Sequence, residues 1–497
     1  MKRTALLFLF AFLGWNLFSQ NSSEKSVQQH LAPAITPEPA FSEISPTEYY
    51  PLTSVLIECP DNSAGKWAKK HLKQWYGKFA PEVGMTVASG SDLGDEAYDL
   101  IIDKNGVKVR AQTLQGVRYA MYSLRQIAMP QRKSVKVEGW IAPKAVIHDK
   151  PALSFRGIHI CWFHEREPWQ IERMIRLAAY YKMNYAVIES WGTYRSKVAP
   201  WYGWKDGTMT EKEVARLKKI ADDLGITLIP QINIFGHASQ SRGGAGKHAA
   251  LDLHPEYQPI FEPDGGWNWC LSNPEARKLL VALIEERMEV FGNPPFFHIG
   301  ADEAHRPSCP DCISRPYLDL MLEHINVMCE TIRKKGARPM MWHDMLLQRN
   351  DPRWKGFQAN GMPEIEATLL KFPKDMVICD WYYGEAKETY PTLDYFKGLG
   401  FQTLVCPWVR TSGIKSRATY AREGHADGIL GTVWHRDFGK EFVNIYLNLS
   451  NAAWNAGTPW KRNQVMIHLR QIMWDMDNKD SKRAGTFIYE LPATPTL

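Results

Sequence analysis

Two adjacent carboxylates, Asp302 and Glu303, are the residues of this 497-residue chain whose types and spacing best suit chemistry. They follow Phe296-Phe-His-Ile-Gly-Ala, in which apolar residues lead into a corner of small residues. This pattern predicts the end of a buried strand, and two carboxylates held together there cannot ionise independently, so one tends to keep its proton. An acid beside an anion suits cleavage of a glycosidic bond. The same pair is also typical of a helix N-terminus, where acidic side chains are favoured without a catalytic role.

Further polar and aromatic residues stand at the ends of other predicted strands. They are Arg156, Glu189, His237, Trp342, Trp381, Trp408 and Trp434. Indole faces pack against the apolar faces of a pyranose, so the four tryptophans are candidates for the walls of a sugar site, although any one of them alone is more often core. An inward Arg156 needs acceptors, which could be sugar hydroxyls, an internal carboxylate such as Glu303 or Glu189, or both. His237 is either a substrate-binding or a satisfied structural histidine.

The elements that would position these residues alternate from Pro151 onward between short apolar strands and amphipathic helices, the pattern of a parallel sheet. The predicted strands are Phe155 to Cys161, Tyr185 to Glu189, Thr227 to Asn233, Phe296 to Ile299, Pro339 to Trp342, Met376 to Asp380, Thr403 to Cys406 and Gly428 to Val433. The predicted helices between them are Ile171 to Met183, Glu211 to Leu224, Glu275 to Phe291 and Leu318 to Lys335. Eight such strands predict an α/β fold, a (β/α)8 TIM barrel, whose active site lies at the carboxyl ends of the strands.

The residues before the barrel predict a smaller α+β domain. Tyr98 to Asp103 and Val107 to Ala111 flank Asn105-Gly106, which favours a tight hairpin. We therefore predict a flexible leader at residues 22–46, an N-terminal α+β domain at 47–150, the barrel at 151–480 and a C-terminal tail at 481–497.

Residues 1–21 are typical of a secretory signal peptide, with Lys2 and Arg3 before an apolar run. The alternative is a membrane anchor, but Gly14 and Asn16 interrupt the run. We therefore predict cleavage and export, which give a secreted or periplasmic protein with no membrane span afterwards.

The net charge of +6 is spread over 60 basic and 54 acidic residues. The sequence has no long run of one charge sign, so it gives no indication of a basic patch that would bind nucleic acid.

The cysteines are too scattered for a dense disulfide framework. One local group differs: Cys309-Pro-Asp-Cys312, with His305 four residues earlier. It is compatible with zinc, but a structural zinc site needs about four ligands and the sequence shows no second close pair. A local disulfide or plain thiols are the favoured alternatives, and no metal is predicted.

The residues also resemble glycoside hydrolase family 20, the exo-acting β-N-acetylhexosaminidases, from about Tyr49 to about Ala456. The most specific element is His298-Ile-Gly-Ala-Asp302-Glu303, which resembles the family's His-x-Gly-Gly-Asp-Glu. Other similar segments follow the family order: Val146-Ile-His-Asp-Lys-Pro-Ala-Leu-Ser-Phe-Arg156-Gly, Gly225-Ile-Thr-Leu-Ile-Pro-Gln-Ile-Asn-Ile-Phe-Gly-His237, Gly336-Ala-Arg-Pro-Met-Met-Trp342 and Gly431-Thr-Val-Trp434.

The resemblance implies substrate-assisted retaining catalysis without a metal or organic cofactor. In such a reaction the 2-acetamido oxygen of the sugar attacks its own anomeric carbon. Asp302 would orient that amide, and Glu303 would act as general acid and then as general base. Arg156 and His237 would contact the terminal sugar. Trp342, Trp381 and Trp434 would enclose it.

Three departures from the family pattern bear on the outer part of the site. Cys161 and His164 stand where the family continues toward an Asp and an Arg, and His435-Arg436-Asp437 replaces the usual Trp-x-Glu. The family's tyrosine after the seventh strand is absent, since the chain reads Cys406-Pro-Trp408. Tyr382 or Tyr383 is the candidate substitute, and we select Tyr382.

The predicted function is therefore an exported hydrolase that releases terminal β-linked N-acetylhexosamine from oligosaccharides or glycoconjugates. Two alternatives remain open. One is a glycan-binding protein on the same fold without turnover. The other is a hydrolase for a modified, for example sulfated, N-acetylhexosamine that His435 or Arg436 would meet.

Overall fold

A computed structural model describes residues 34–90, 92–133, 136–164, 166–204, 206–239, 250–434 and 440–455. The predicted signal peptide at 1–21 and the predicted tail at 481–497 lie outside the described residues. Among the helices that are described, none has the length and apolar character required to cross a bilayer.

The N-terminal domain is a mixed sheet with two helices on it. Its strands are β1 (Phe41–Pro51), β2 (Ser54–Glu58), β3 (Glu82–Thr86), β4 (Tyr98–Asp103), β5 (Gly106–Ala111), β6 (Met129–Lys133) and β7 (Lys136–Asp149). Their order is β1-β7-β4-β5-β2-β3, with β6 paired to β7. The helices are α1 (Ser63–Tyr76) and α2 (Leu114–Ile127). This arrangement confirms the smaller α+β domain.

The hairpin predicted from Asn105-Gly106 joins β4 to β5, with Asp103 opposite Gly106 and a φ of 114° at the glycine. One boundary was wrong, because β1 begins at Phe41, inside the predicted leader at 22–46. β1 is a largely exposed edge strand rich in Ser, Pro and Glu, so its composition resembles that of an unstructured segment.

Eight parallel strands close into a barrel within the described residues. They are β8 (Phe155–Trp162), β9 (Tyr185–Ser190), β10 (Thr227–Gln231), β11 (Phe296–His298), β12 (Arg338–Trp342), β13 (Val377–Trp381), β14 (Gln402–Cys406) and β15 (Gly428–Gly431), with β15 paired to β8. Each corresponds to a predicted strand, so the (β/α)8 prediction is confirmed. The observed ends differ from the predicted ones by up to two residues.

The helices of this half of the chain follow the strands. They are α3 (Pro168–Tyr180), α4 (Glu211–Leu224), α5 (Ala250–Leu253), α6 (Pro274–Val290), α7 (Pro310–Ile313), α8 (Tyr317–Lys334), α9 (Ile365–Leu369), α10 (Pro391–Gly398), α11 (Thr411–Tyr420) and α12 (Lys440–Asn455). Residues 456–480, the end of the predicted barrel segment, lie outside the described residues.

The barrel interior is a packed core and not a pore. Phe155, Val187, Ile229, Met340 and Leu404 are buried together inside it, with no more than 4% of any side chain exposed. Layers of branched and aromatic side chains of this kind fill TIM barrels and leave the carboxyl end of the strands for chemistry.

Candidate active site

The corner after β11 carries the two carboxylates to the carboxyl end of the barrel. Gly300, Ala301 and Glu303 all have positive φ angles, 63°, 68° and 50°. A Cβ atom at Gly300 would lie 1.6 Å from Oδ1 of Asn233, so only glycine fits there. The positive angles turn the chain sharply, which places Asp302 and Glu303 beside the segment that follows β10.

His237 connects the two carboxylates. Its Nε2 lies 3.2 Å from Oδ2 of Asp302 and 3.4 Å from Oε2 of Glu303. The His237 backbone itself has a φ of 59°, and a Cβ at the preceding Gly236 would meet the Asp302 carbonyl oxygen at 2.7 Å. Strained backbone on both sides of a contact is typical of functional sites, where the surrounding structure fixes the geometry.

The two carboxylates differ in exposure. The Asp302 side chain is 11% exposed, whereas that of Glu303 is 48% exposed. Trp267 packs on His237 with the ring centroids 4.3 Å apart and donates its indole N–H to the Glu303 carbonyl oxygen at 2.9 Å. Glu303 is therefore the carboxyl group that can exchange protons with water, and Asp302 is the deeper one.

Asp344, which the sequence did not single out, holds the Glu303 backbone and the Trp381 side chain. It is fully buried, accepts the backbone N–H of Glu303 at 2.9 Å, and accepts the indole N–H of Trp381 at 3.1 Å. Burial and the nearby charge of Asp302 raise the pKa of Asp344 above its ordinary value. The sequence feature that could have identified Asp344 is its position two residues after Trp342, the predicted end of a barrel strand.

Tryptophan side chains wall the same end of the barrel. Trp342 is 1% exposed, and its ring centroid lies 4.4 Å from that of His298 and 6.1 Å from that of Trp434. Trp381 is 8% exposed and is held by Asp344. The structure thus brings together Asp302, Glu303, His237 and Trp342, Trp381 and Trp434, three of the four tryptophans that the sequence proposed for the site.

The selection of Tyr382 was wrong, because its neighbour Tyr383 is the tyrosine that faces the site. Tyr383 accepts the indole N–H of Trp434 at 2.7 Å, and its ring lies 5.1 Å from that of Trp381. Tyr382 instead packs outside the barrel, 5.2 Å from Phe357. Successive side chains at a strand end point to opposite faces, and the register of β13 decides which of the two points inward.

Arg156 was also wrong as a sugar-binding residue. It is the second residue of β8 and lies at the amino end of the barrel, opposite the carboxylates. Its guanidinium donates to both carboxylate oxygens of Glu96 at 2.6 and 2.9 Å and to the Tyr119 hydroxyl at 2.8 Å. The alternative prediction, an internal ion pair of Arg156 with a carboxylate, is confirmed. The predicted partners Glu189 and Glu303 are wrong, because the partner is Glu96 of the N-terminal domain.

A second group of polar side chains lies deeper in the barrel, below the tryptophans. His159 Nε2 is 3.1 Å from Oε2 of Glu189, and Asn233 donates to Oε1 of Glu189 at 2.9 Å. His298 is fully buried, and desolvation, followed by the nearby His159, lowers its pKa to about 3. His298 is therefore neutral at physiological pH and accepts the Gly300 N–H at its Nδ1, which fixes the corner before the carboxylates.

Three groups of side chains in the described part of the chain have ligand atoms close enough for a cation. Two lie inside the barrel end: His237 with Asp302 and Glu303, and His159 with Cys161 and Glu189. Their carboxylates already contact histidine. The third combines Glu262 with three cysteines outside the barrel.

A parallel barrel that presents paired carboxylates within an aromatic wall is an architecture typical of glycoside hydrolases. The family model described as glycosyl hydrolase family 20, catalytic domain, matches residues 155–435, and that described as glycosyl hydrolase family 20, domain 2, matches residues 32–150. The chain belongs to glycosyl hydrolase family 20.

Relatives in sequence agree with this membership. The beta-hexosaminidase of Vibrio furnissii is 25% identical over 290 residues, which are 50% of this chain and 44% of that protein. The lacto-N-biosidase of Bifidobacterium bifidum is 25% identical over 384 residues, 73% of this chain and 30% of that protein. The chain thus spans less than half the length of these two relatives.

Solved structures share the fold. The exo beta-N-acetylglucosaminidase of Vibrio harveyi superposes with a TM-score of 0.68 at 17% identity, covering 90% of this chain and 77% of that one. The beta-N-acetylhexosaminidase of Bacteroides fragilis gives a TM-score of 0.66 at 18% identity, covering 91% and 96%.

Proposed function

We propose that this protein is a β-N-acetylhexosaminidase that releases terminal β-linked N-acetylhexosamine by substrate-assisted retaining catalysis. The observation that carries the proposal is the contact of one histidine, His237, with both Asp302 and Glu303 at the carboxyl end of the barrel. Family 20 enzymes are exceptions to the usual two-carboxylate scheme because the substrate supplies the nucleophile.

The different exposure of the two carboxylates supports different roles. Asp302, the buried one, would accept the N–H of the 2-acetamido group and stabilise the positive charge that develops as the amide oxygen attacks the anomeric carbon. Glu303, the exposed one, would protonate the departing glycosidic oxygen and then remove a proton from the water that opens the oxazolinium intermediate. An attacking group already held beside the reacting carbon removes much of the entropic barrier.

Tyr383 would complete the acetamido site. Its hydroxyl accepts a hydrogen bond from Trp434 and also has Thr432 as a hydrogen-bond neighbour. We assign to its O–H the donation to the acetamido carbonyl oxygen when substrate binds. Trp342, Trp381 and Trp434 would enclose the methyl group and the ring, since aromatic faces suit the apolar faces of sugars.

The two alternative functions receive less support. Glycan binding without turnover was motivated by the missing family tyrosine and the altered outer residues, and the contacts of Tyr383 with Trp434 and Trp381 make Tyr383 our candidate for the missing tyrosine. A preference for a modified sugar depended on His435 and Arg436, which lie outside the described residues.

Glu303→Gln tests the assigned acid. We expect kcat/KM for an N-acetyl-β-glucosaminide with a poor leaving group to fall by about 10³-fold, because such a substrate depends on protonation of the leaving oxygen. A 4-nitrophenyl glycoside, whose leaving group needs less protonation, should lose much less. Glu330→Gln, on the exposed face of α8, is the matched control and should match the wild type. Equal rates for Glu303→Gln and wild type on the poor leaving group would refute the assignment.

We also propose that the protein is exported, on the signal-like residues 1–21. Expression of the full chain in its own host, followed by fractionation and N-terminal sequencing of the mature protein, tests this. Cleavage near residue 21 is expected, and an uncleaved protein in the cytosolic fraction would contradict export.

A further inference from the structure

A cluster outside the barrel combines three cysteines with one buried glutamate. Cys309 and Cys312 lie at the start of α7, and Cys270 and Glu262 come from the long segment between β10 and α6. The sulfur of Cys270 is 3.6 Å from that of Cys309 and 3.7 Å from that of Cys312. One carboxylate oxygen of Glu262 lies within 4.8 Å of all three sulfurs.

The sulfur spacing matches the edge of a metal-centred tetrahedron. Zinc binds thiolate at about 2.3 Å, so two sulfurs on one tetrahedral zinc are about 3.8 Å apart. The same spacing is far longer than the S–S bond of about 2.05 Å in a disulfide. A disulfide would also join only two of the three cysteines and leave the third unpaired.

The glutamate supplies the second, independent observation. Glu262 is 1% exposed, and its Oε2 accepts the backbone N–H groups of Ser308 and Cys309 at 2.7 and 2.8 Å. Its Oε1 is buried and has no hydrogen-bond partner among the described residues. A buried carboxylate oxygen without a hydrogen-bond partner is costly unless a cation meets it. Around this carboxylate lie the three cysteine sulfurs, which are themselves metal ligands.

The geometry points to a structural zinc site formed by Cys270, Cys309, Cys312 and Glu262. The chemistry of this donor set, three thiolates and one carboxylate, selects zinc over calcium or magnesium, which take only oxygen ligands. The N–H of Cys312 directed at the Cys309 sulfur at 3.3 Å supports that thiolate. Sequence spacing suggested His305 as a ligand, but His305 contacts Asp264 at 3.2 Å and stacks on Trp267.

Zinc at this position would clamp together the two segments that flank the catalytic carboxylates. The first segment carries Trp267, which holds the Glu303 carbonyl oxygen, and Asn268, which donates to the His305 carbonyl oxygen at 2.7 Å. The second runs from Glu303 to Cys312. The metal would therefore act on positioning and stability and take no part in bond cleavage.

Metal analysis of the full chain, purified under reducing conditions without chelators, tests the site. We expect one zinc per chain in the wild type and in Cys59→Ala, a buried cysteine of the N-terminal domain. Cys312→Ser should lose nearly all of it, and Glu262→Gln should weaken zinc binding at least about tenfold. Full zinc retention by Cys312→Ser, or a wild type that binds no zinc after zinc is added, would overturn the proposal.

Cobalt replacement in the wild type gives a second readout if Cys312→Ser does not fold. Tetrahedral cobalt bound to thiolates shows strong visible bands and near-ultraviolet charge transfer from sulfur. We expect both. Cobalt spectra without sulfur charge transfer, or an intact mass two hydrogens lower under denaturing conditions, which reports a disulfide, would exclude the zinc site.

Discussion

At the scale of single residues, the site depends on the contacts that hold Asp302 and Glu303 in place. His237 touches both carboxylates, while Asp344 holds the Glu303 backbone and the Trp381 indole from the buried side. The sequence pattern predicted the first two residues because they end an apolar run. It did not indicate Asp344, whose importance comes from contacts with residues 37 and 41 positions away.

Asp344→Asn should reduce kcat on N-acetyl-β-glucosaminides by about 10- to 100-fold. An amide cannot accept hydrogen bonds on both sides as the carboxylate does, so one of Glu303 N–H and Trp381 N–H loses its acceptor. Asp319→Asn, in the first turn of α8, is the control and should leave kcat unchanged. Wild-type kcat in Asp344→Asn would show that these contacts do not position the site.

The raised pKa of Asp344 also predicts a pH effect on stability. Because the folded protein keeps this proton to a higher pH than the unfolded chain, Asp344 favours folding at low pH and loses that contribution as the pH rises through its folded pKa. The free energy of unfolding should therefore fall less between about pH 4 and pH 7 in Asp344→Asn than in the wild type. Chemical denaturation at both pH values measures this, and equal slopes would contradict it.

At the scale of elements, strand ends decide which residues enter the site. The eight barrel strands were predictable because short apolar runs alternate with amphipathic helices. The sequence could not show which of the two adjacent tyrosines after β13 points into the barrel. A shift of one residue in the strand register exchanges the inward and the outward position. The contacts of Cys270 and Glu262 with Cys309 were not predictable either, because these residues are far from α7 in the sequence.

Tyr383→Phe should lower kcat/KM on N-acetyl substrates by about 10- to 100-fold, because a hydrogen bond to a charged intermediate is lost. Tyr382→Phe is the matched control, one residue away and facing the outer helices, and should retain the wild-type value. The proposed tyrosine role is wrong if both variants behave alike in steady-state kinetics.

At the scale of the whole molecule, buried charges join the two domains. Arg156 of the barrel is 1% exposed and meets Glu96 and Tyr119 of the N-terminal domain. Lys182 of the barrel similarly meets Asp149 at 2.9 Å. The sequence showed that Arg156 needed acceptors, but it could not show that they come from the other domain, 60 residues earlier.

Arg156→Met should lower the free energy of unfolding by about 3 kcal/mol, because Glu96 and the carbonyl oxygens that surround the guanidinium lose their donor. Its KM should stay at the wild-type value, since Arg156 is at the opposite end of the barrel. Arg353→Met, at an exposed ion pair, should cost less than about 0.5 kcal/mol. Denaturant titration measures the free energy of unfolding and steady-state kinetics on the same samples measures KM. A large rise in KM with an unchanged free energy of unfolding would contradict this account and show that Arg156 binds the sugar.

The substrate's own amide as nucleophile is the central claim, and fluorination of the 2-acetyl group measures it most directly. Rates of hydrolysis of the acetyl, fluoroacetyl, difluoroacetyl and trifluoroacetyl β-glucosaminides should fall steeply in that order, because each fluorine withdraws electrons from the attacking carbonyl oxygen. Equal rates along the series would mean that the amide does not attack, and would contradict substrate-assisted catalysis by this protein.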